Sequence, residues 1–180
     1  MRALAALLLL LLDACAGAPA AGAANGQNLA WQHRYPGLTC APFARSVVGV
    51  DLHGDAGDWW GEAAGRYRRA HLPEVGSVLV FRRAGRIPAG HVAVVSQVLD
   101  RRRILVIQAN WTHAMLEEDQ LIVDVSPHND WTEVRVWYPP THQLGAHVYG
   151  AYGFIVPPRP LTHAALMARA VPAAQAVGGS

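Results

Sequence analysis

The sequence predicts an α+β domain in which N-terminal helices pack on an antiparallel sheet of six strands or so. Three observations carry this. Helix start and stop signals gather between residues 39 and 69, whereas short β-branched and aromatic segments separated by Gly, Pro, Asp and Arg follow one another from Ser77 to Val156. A chain of 180 residues with 52% hydrophobic and 16% charged residues also suits one domain with a proper core.

Taken in order, Met1-Arg2 precedes an apolar run from Ala3 to Leu12 and then small residues through Ala24. A basic start, a short apolar stretch and A-x-A-like sites are the marks of a signal peptide over 1–24, and the run is too short to span a membrane. Cys15 in Leu12-Asp-Ala-Cys15 resembles a lipoprotein box, with Asp13 a poor fit, so plain cleavage is preferred to lipidation. A compact domain is expected over 25–158. Its first helix starts at Cys40, where Thr39 can cap, Pro42 suits the first turn, Phe43 and Val47 share a face, and Gly49 stops the run. A second helix is expected from Trp59, capped by Asp58, to near Arg69. Strands are expected at 77–82, 91–98, 103–109, 121–125, 133–138 and 149–156. Residues 159–180, rich in Pro and then Ala, read as a flexible, loosely attached tail.

Composition also narrows function. A formal charge of +2 with scattered arginines argues against nucleic acid as a partner. Two cysteines make no disulfide scaffold, and no Cys/His pair has zinc-finger spacing, so any special cysteine chemistry rests on one or both of them. Once Cys15 is set aside, Cys40 is a lone thiol in an exported chain.

Cys40 stands at a predicted helix start, where free N–H groups and a partial positive charge stabilise a thiolate. His91 heads the otherwise apolar strand His91-Val-Ala-Val-Val. A hairpin turning near Asp100-Arg101 places residue 110 opposite residue 91 and sets Gln108, Asn110 and His91 on one face. An amide beside an imidazole can fix its tautomer and direction. Each residue also has a plain structural reading: a buried small thiol, a core histidine, strand-end amides.

Together these residues resemble the CHAP family, the cysteine, histidine-dependent amidohydrolase/peptidase domain of the papain-like superfamily. The resemblance runs from about Cys40 to Val156. It rests on the helix-opening cysteine, Gly54-Asp-Ala56 with Trp59 or Trp60, Pro73-Glu-Val-Gly76 leading into a strand, Gly90-His91-Val-Ala-Val-Val, and Gln108-Ala-Asn110-Trp111. It implies a papain-like fold in which Cys40 attacks an amide carbonyl and His91 is base and then acid. Asn110 is the expected orienting residue, and Gln108 is either the true orienter or an oxyanion donor together with the Cys40 N–H. The chain departs from the common Glu-x-Asn-Trp by placing Gln108 where a glutamate would stand. Some relatives bind calcium before the cysteine, but residues 32–39 hold no carboxylate and none is expected here.

The implied function is an exported bacterial cysteine amidase or endopeptidase acting on peptidoglycan or muropeptides, with no metal or organic cofactor needed, periplasmic or secreted, touching a membrane only if lipidated at Cys15. Two alternatives stay open: a non-catalytic wall- or partner-binding module, and an amidase for a small amide such as glutathionylspermidine. Trp59, Trp60 and Trp111 are candidates to stack on substrate, with core packing the competing role. The sequence gives no oligomeric state.

Overall fold

The computed structural model describes residues 32–179. The signal peptide expected over 1–24, Cys15 and the start of the domain through Trp31 lie outside the described residues, as does Ser180. Strand β1 (Gln32–Arg34) and helix α1 (Cys40–Val48) lead to a 3₁₀ turn (Ala56–Asp58) that runs into α2 (Trp59–Glu62). Strands β2 (Arg68–Ala70), β3 (Val78–Phe81), β4 (His91–Val98), β5 (Arg103–Ala109), β6 (Met115–Asp124), β7 (Glu133–Tyr138), β8 (Gln143–Leu144) and β9 (Tyr149–Val156) follow, and α3 (His163–Gly178) comes last.

The α+β class holds, and β4, β5, β7 and β9 have the bounds the sequence predicts. The sheet does not stay open. Strands β6, β5, β4, β3, β9 and β7 pair in that order, and β7 pairs back onto β6 through Ile122↔Val136 and its neighbours, closing a six-stranded antiparallel barrel. Closure gives the strands two covered faces. In β3, Leu79 and Phe81 point into the barrel while Val78 and Val80 point out under the helices, so all four are buried. A strand covered on both sides reads as a continuous apolar run.

The outer layer fixes where α1 begins. Phe43 and Val47 are fully buried against the barrel wall, each contributing roughly 1.5–3 kcal/mol on burial. Gly49, at φ 73°, ends the helix by donating its N–H to the Arg45 carbonyl at 2.8 Å. The expected second helix is shorter than predicted. It stops at Glu62, the chain turns through Gly65 at φ 72°, and Arg68–Ala70 pair with β9.

The C-terminal expectation is corrected too. Residues 163–178 form α3, which buries Leu166, Ala170, Ala173 and Ala174 in the same layer as α1. Thr162 caps it by accepting the Ala165 N–H, and the Arg169 guanidinium donates to the Val47 carbonyl. Few large residues are needed because alanine lets helix backbones approach closely, so an Ala-rich stretch that looked too poor to dock is part of the core.

Candidate active site

Cys40 is the first residue of α1, half-buried, with a free thiol. Thr39 precedes it in extended conformation and makes no side-chain cap, so the N–H groups of the first turn are not taken up by a hydroxyl. Across the cleft, His91 opens β4 at the barrel rim and is buried. Gly90 makes this approach possible. It sits at φ 73°, and a Cβ there would lie 2.5 Å from the backbone nitrogen of Gly57, in the turn whose N–H is donated to the Ala89 carbonyl. Phe81 and Trp111 then pack edgewise on the imidazole, with ring centroids at 5.5 and 5.0 Å.

The hairpin of β4 and β5 delivers the third residue. Val94 pairs with Ile107 and Val98 with Ile104, with a bulge between Val95 and Gln97. The bulge shifts the ladder toward the alignment that a turn centred at Asp100-Arg101 would have given. In β5, Ile104 and Val106 face the barrel interior, and Gln108 follows them with the same parity. Its Oε1 lies 2.9 Å from His91 Nε2.

Direction along this contact is set farther back. The Trp137 carbonyl can only accept, so Gln120 Nε2 donates to it at 2.8 Å. Gln120 Oε1 therefore accepts from Gln108 Nε2, and Gln108 Oε1 accepts from His91 Nε2–H. The polarity of the chain leaves Nδ1 of the neutral ring as the lone-pair nitrogen, and the thiol of Cys40 is hydrogen-bonded to this ring.

Asn110 is placed differently from Gln108. It lies past the end of β5 at φ 61°, its N–H donates to the Met115 carbonyl, and its Oδ1 accepts the Ala114 N–H at 2.8 Å. No hydrogen bond joins it to His91 among the described contacts. It does line the cleft that holds Cys40, His91, Gly54, Arg86 and Ile87, and it is the side-chain amide among the residues of that cleft.

Electrostatics couple the pair. Burial pushes the Cys40 thiol up, but the charge and hydrogen bond of His91, with the N–H groups of Val92 and Ala41, outweigh it and hold Cys40 below its ordinary value. Burial likewise works against a charged His91, yet the Cys40 thiolate, the Gln108 carbonyl and Glu117 together raise its pKa. Each partner favours the ionised form of the other.

Of the tryptophans, Trp59 is wholly buried in the helix layer and so is a core residue, correcting the expectation that it meets substrate. Trp60 is stacked on Tyr152 under the Arg69 guanidinium, outside the cleft of Cys40 and His91. Trp111 touches His91 and lines an adjoining groove with Arg86, Ile87, His147 and Tyr149. Sequence reasoning missed Gln120 and Glu117. Both sit in the polar first half of β6, Met115–Gln120, which reads as a loop because its acidic residues hide the pairing with β5 and β1. Apolar Leu116 and Leu121, bracketing four polar residues, were the available signal.

Among the described residues, no group of three or more His, Cys, Asp or Glu side chains is arranged to hold a metal ion. No described helix is long and apolar enough to cross a membrane. Residues 30–110 match the family model of the CHAP domain, a span that takes in Cys40, His91, Gln108 and Asn110. The CHAP domain is generally a hydrolase domain and points to a peptidoglycan-type substrate and to amidase or peptidase chemistry. No curated protein matches the chain.

Proposed function

We propose that this CHAP-domain chain is an exported bacterial cysteine amidase or endopeptidase that hydrolyses peptidoglycan amide bonds. The observation that carries this reading is the one-way hydrogen-bond chain from the Trp137 carbonyl through Gln120 and Gln108 to His91, which leaves the ring's other nitrogen to the Cys40 thiol. A merely structural histidine does not require a defined tautomer facing a thiol at a helix start.

In this reading the arrangement works in the papain-like manner. His91 takes the Cys40 proton, the thiolate attacks the amide carbon, and the C=O electron pair moves to oxygen. The oxyanion is held by the N–H of Cys40 at the start of α1 and by the side-chain amide of Asn110 in the cleft. The imidazolium then donates its proton to the departing nitrogen, the C–N bond breaks, and a thioester is left. Water, deprotonated by His91, attacks the thioester and the thiolate leaves as the carboxylic acid is released. Gln108 is the orienting residue in this scheme and Asn110 the oxyanion donor, with Trp111 beside the ring as the substrate-facing aromatic. A neutral amide suffices as orienter because the ring needs a fixed direction and one accepted N–H. The basic start, short apolar run and small residues over 1–24, read as an export signal, support a location where peptidoglycan is met.

The purified chain incubated with defined muropeptides, and with glutathionylspermidine in parallel, should release products identifiable by mass from the muropeptides, and Cys40→Ala should abolish release. Unchanged release by Cys40→Ala, or a Cys40 that iodoacetamide labels no faster than a free thiol near neutral pH, overturns the reading.

A further inference from the structure

Gln108 is paired directly across the ladder with Glu117 of β6. Residues opposite one another in an antiparallel pair present their side chains on the same face, with Cβ atoms about 4.5–5.5 Å apart. That face is the one from which Gln108 reaches His91. The pairing depends on an irregularity in β6: the register shifts between Val106↔Gln120 and Gln108↔Glu117, around Asp119 at φ 51°. The bulge turns both Gln120 and Glu117 toward Gln108, one as a hydrogen-bond partner and one as a charge.

Glu117 is fully buried. Its Oε1 accepts the Thr112 N–H at 2.8 Å, while Oε2 has no hydrogen-bond partner. A carboxylate held by neutral donors in a core strand is a costly thing to keep for packing alone, because a buried charge is best offset by an opposite charge. Among its surroundings, β4 supplies His91 and α1, through that ring, Cys40, while β5 offers neutral Gln108 and the turn after β5 offers the Thr112 and Trp111 N–H groups and the Thr112 hydroxyl. Arg34 of β1 and His113 of that turn are exposed. Among the described residues, His91 supplies the opposite charge that acts on Glu117.

We propose that Glu117 is a positioning residue of the active site: one strand over from Gln108, it provides the negative charge that stabilises the His91 imidazolium while Gln108 provides direction. This rests on the cysteine–histidine reading above and divides between two side chains what one carboxylate could do. Burial raises the pKa of Glu117 to about 7, so its charge is present on the alkaline side of neutrality and absent below it.

The test is the rate of Cys40 alkylation by iodoacetamide as a function of pH, in the full chain, for wild type, Glu117→Gln and the swap Glu117→Gln with Gln108→Glu. Wild type and Glu117→Gln should react alike below about pH 6, where both residues at 117 are neutral. Above about pH 7.5 the variant should be slower by roughly tenfold, the equivalent of one unit in the stability of the ion pair. The swap, which returns a carboxylate to the same face, should recover most of that loss and also serves if the single variant folds poorly. A fast wild-type thiol with superimposable profiles for Glu117→Gln, or an equal loss at every pH that the swap does not recover, overturns the role of Glu117 alone. A wild-type Cys40 no faster than a free thiol overturns the nucleophile reading and this one with it.

Discussion

At the scale of single residues, the site works by restricting what each polar group can do. A backbone carbonyl that only accepts sets two glutamine amides in series, and they set a histidine tautomer. Gln108→Ala breaks this chain next to the ring, leaving His91 Nε2 and Gln120 Oε1 without their partners. Loss of a buried hydrogen bond to a charged group, about 1.5–3 kcal/mol, predicts a fall in kcat/KM on muropeptides of roughly tenfold to a hundredfold, with KM little changed. Steady-state kinetics check this, and an unaltered kcat would remove Gln108 from the mechanism. Cys40, His91 and the hairpin that joins His91 to Gln108 were all legible in the sequence, because a helix start, a strand start and period-two alternation are local signals. The different placement of Gln108 and Asn110 was not. It depends on Asn110 entering the left-handed region and giving its oxygen to Ala114, a turn geometry that strand alternation does not foresee.

At the scale of elements, two packing contacts set the distance between thiol and imidazole. The first is Gly90 against Gly57. In Gly90→Ala a methyl group must displace backbone at a positive φ, and the strain and overpacking together should destabilise the fold by about 2–4 kcal/mol. The lesion lies beside His91, so activity should fall more than the loss of folded protein explains; urea unfolding combined with kinetics on the folded fraction separates the two. The second is α3 behind α1. Leu166 is fully buried in the core that α3 shares with α1, and Leu166→Ala should cost roughly 2–4 kcal/mol, read as a lowered urea midpoint with an unchanged slope. A midpoint that does not move would mean that α3 is loosely held after all. This helix was illegible because its buried face is Leu166 with three alanines, and small residues carry little hydrophobic signal while allowing close approach. β6 was half legible for the opposite reason, since its buried residues near the site are polar and their partners lie on strands distant in sequence.

At the scale of the whole molecule, the barrel and the helix layer each own one half of the chemistry. Barrel closure was beyond the sequence, because it depends on the pairing of β7 back onto β6 and not on any property of either strand alone. Its interior holds Glu117, and this has a measurable effect on stability. Ordinary glutamate ionises near 4.5, whereas in the folded state Glu117 does so at about 7, so folding favours its neutral form. The resulting destabilisation is absent below about pH 4.5, grows as pH rises and is complete above about pH 7, reaching at most about 3 kcal/mol. Glu117→Gln should therefore melt higher than wild type at about pH 8 and alike at about pH 4.5, by calorimetry; a difference independent of pH would contradict this. The thiol belongs to the helix layer and the imidazole with its amides to the barrel rim, so neither half alone makes a nucleophile. Until α1 seats on the barrel wall, Cys40 is an ordinary thiol with an ordinary acidity, and the chain is chemically quiet. On the proposed function, tertiary structure is thus the safety catch: a nascent or misfolded copy carries no activated sulfur, and reactivity arrives only with the finished fold.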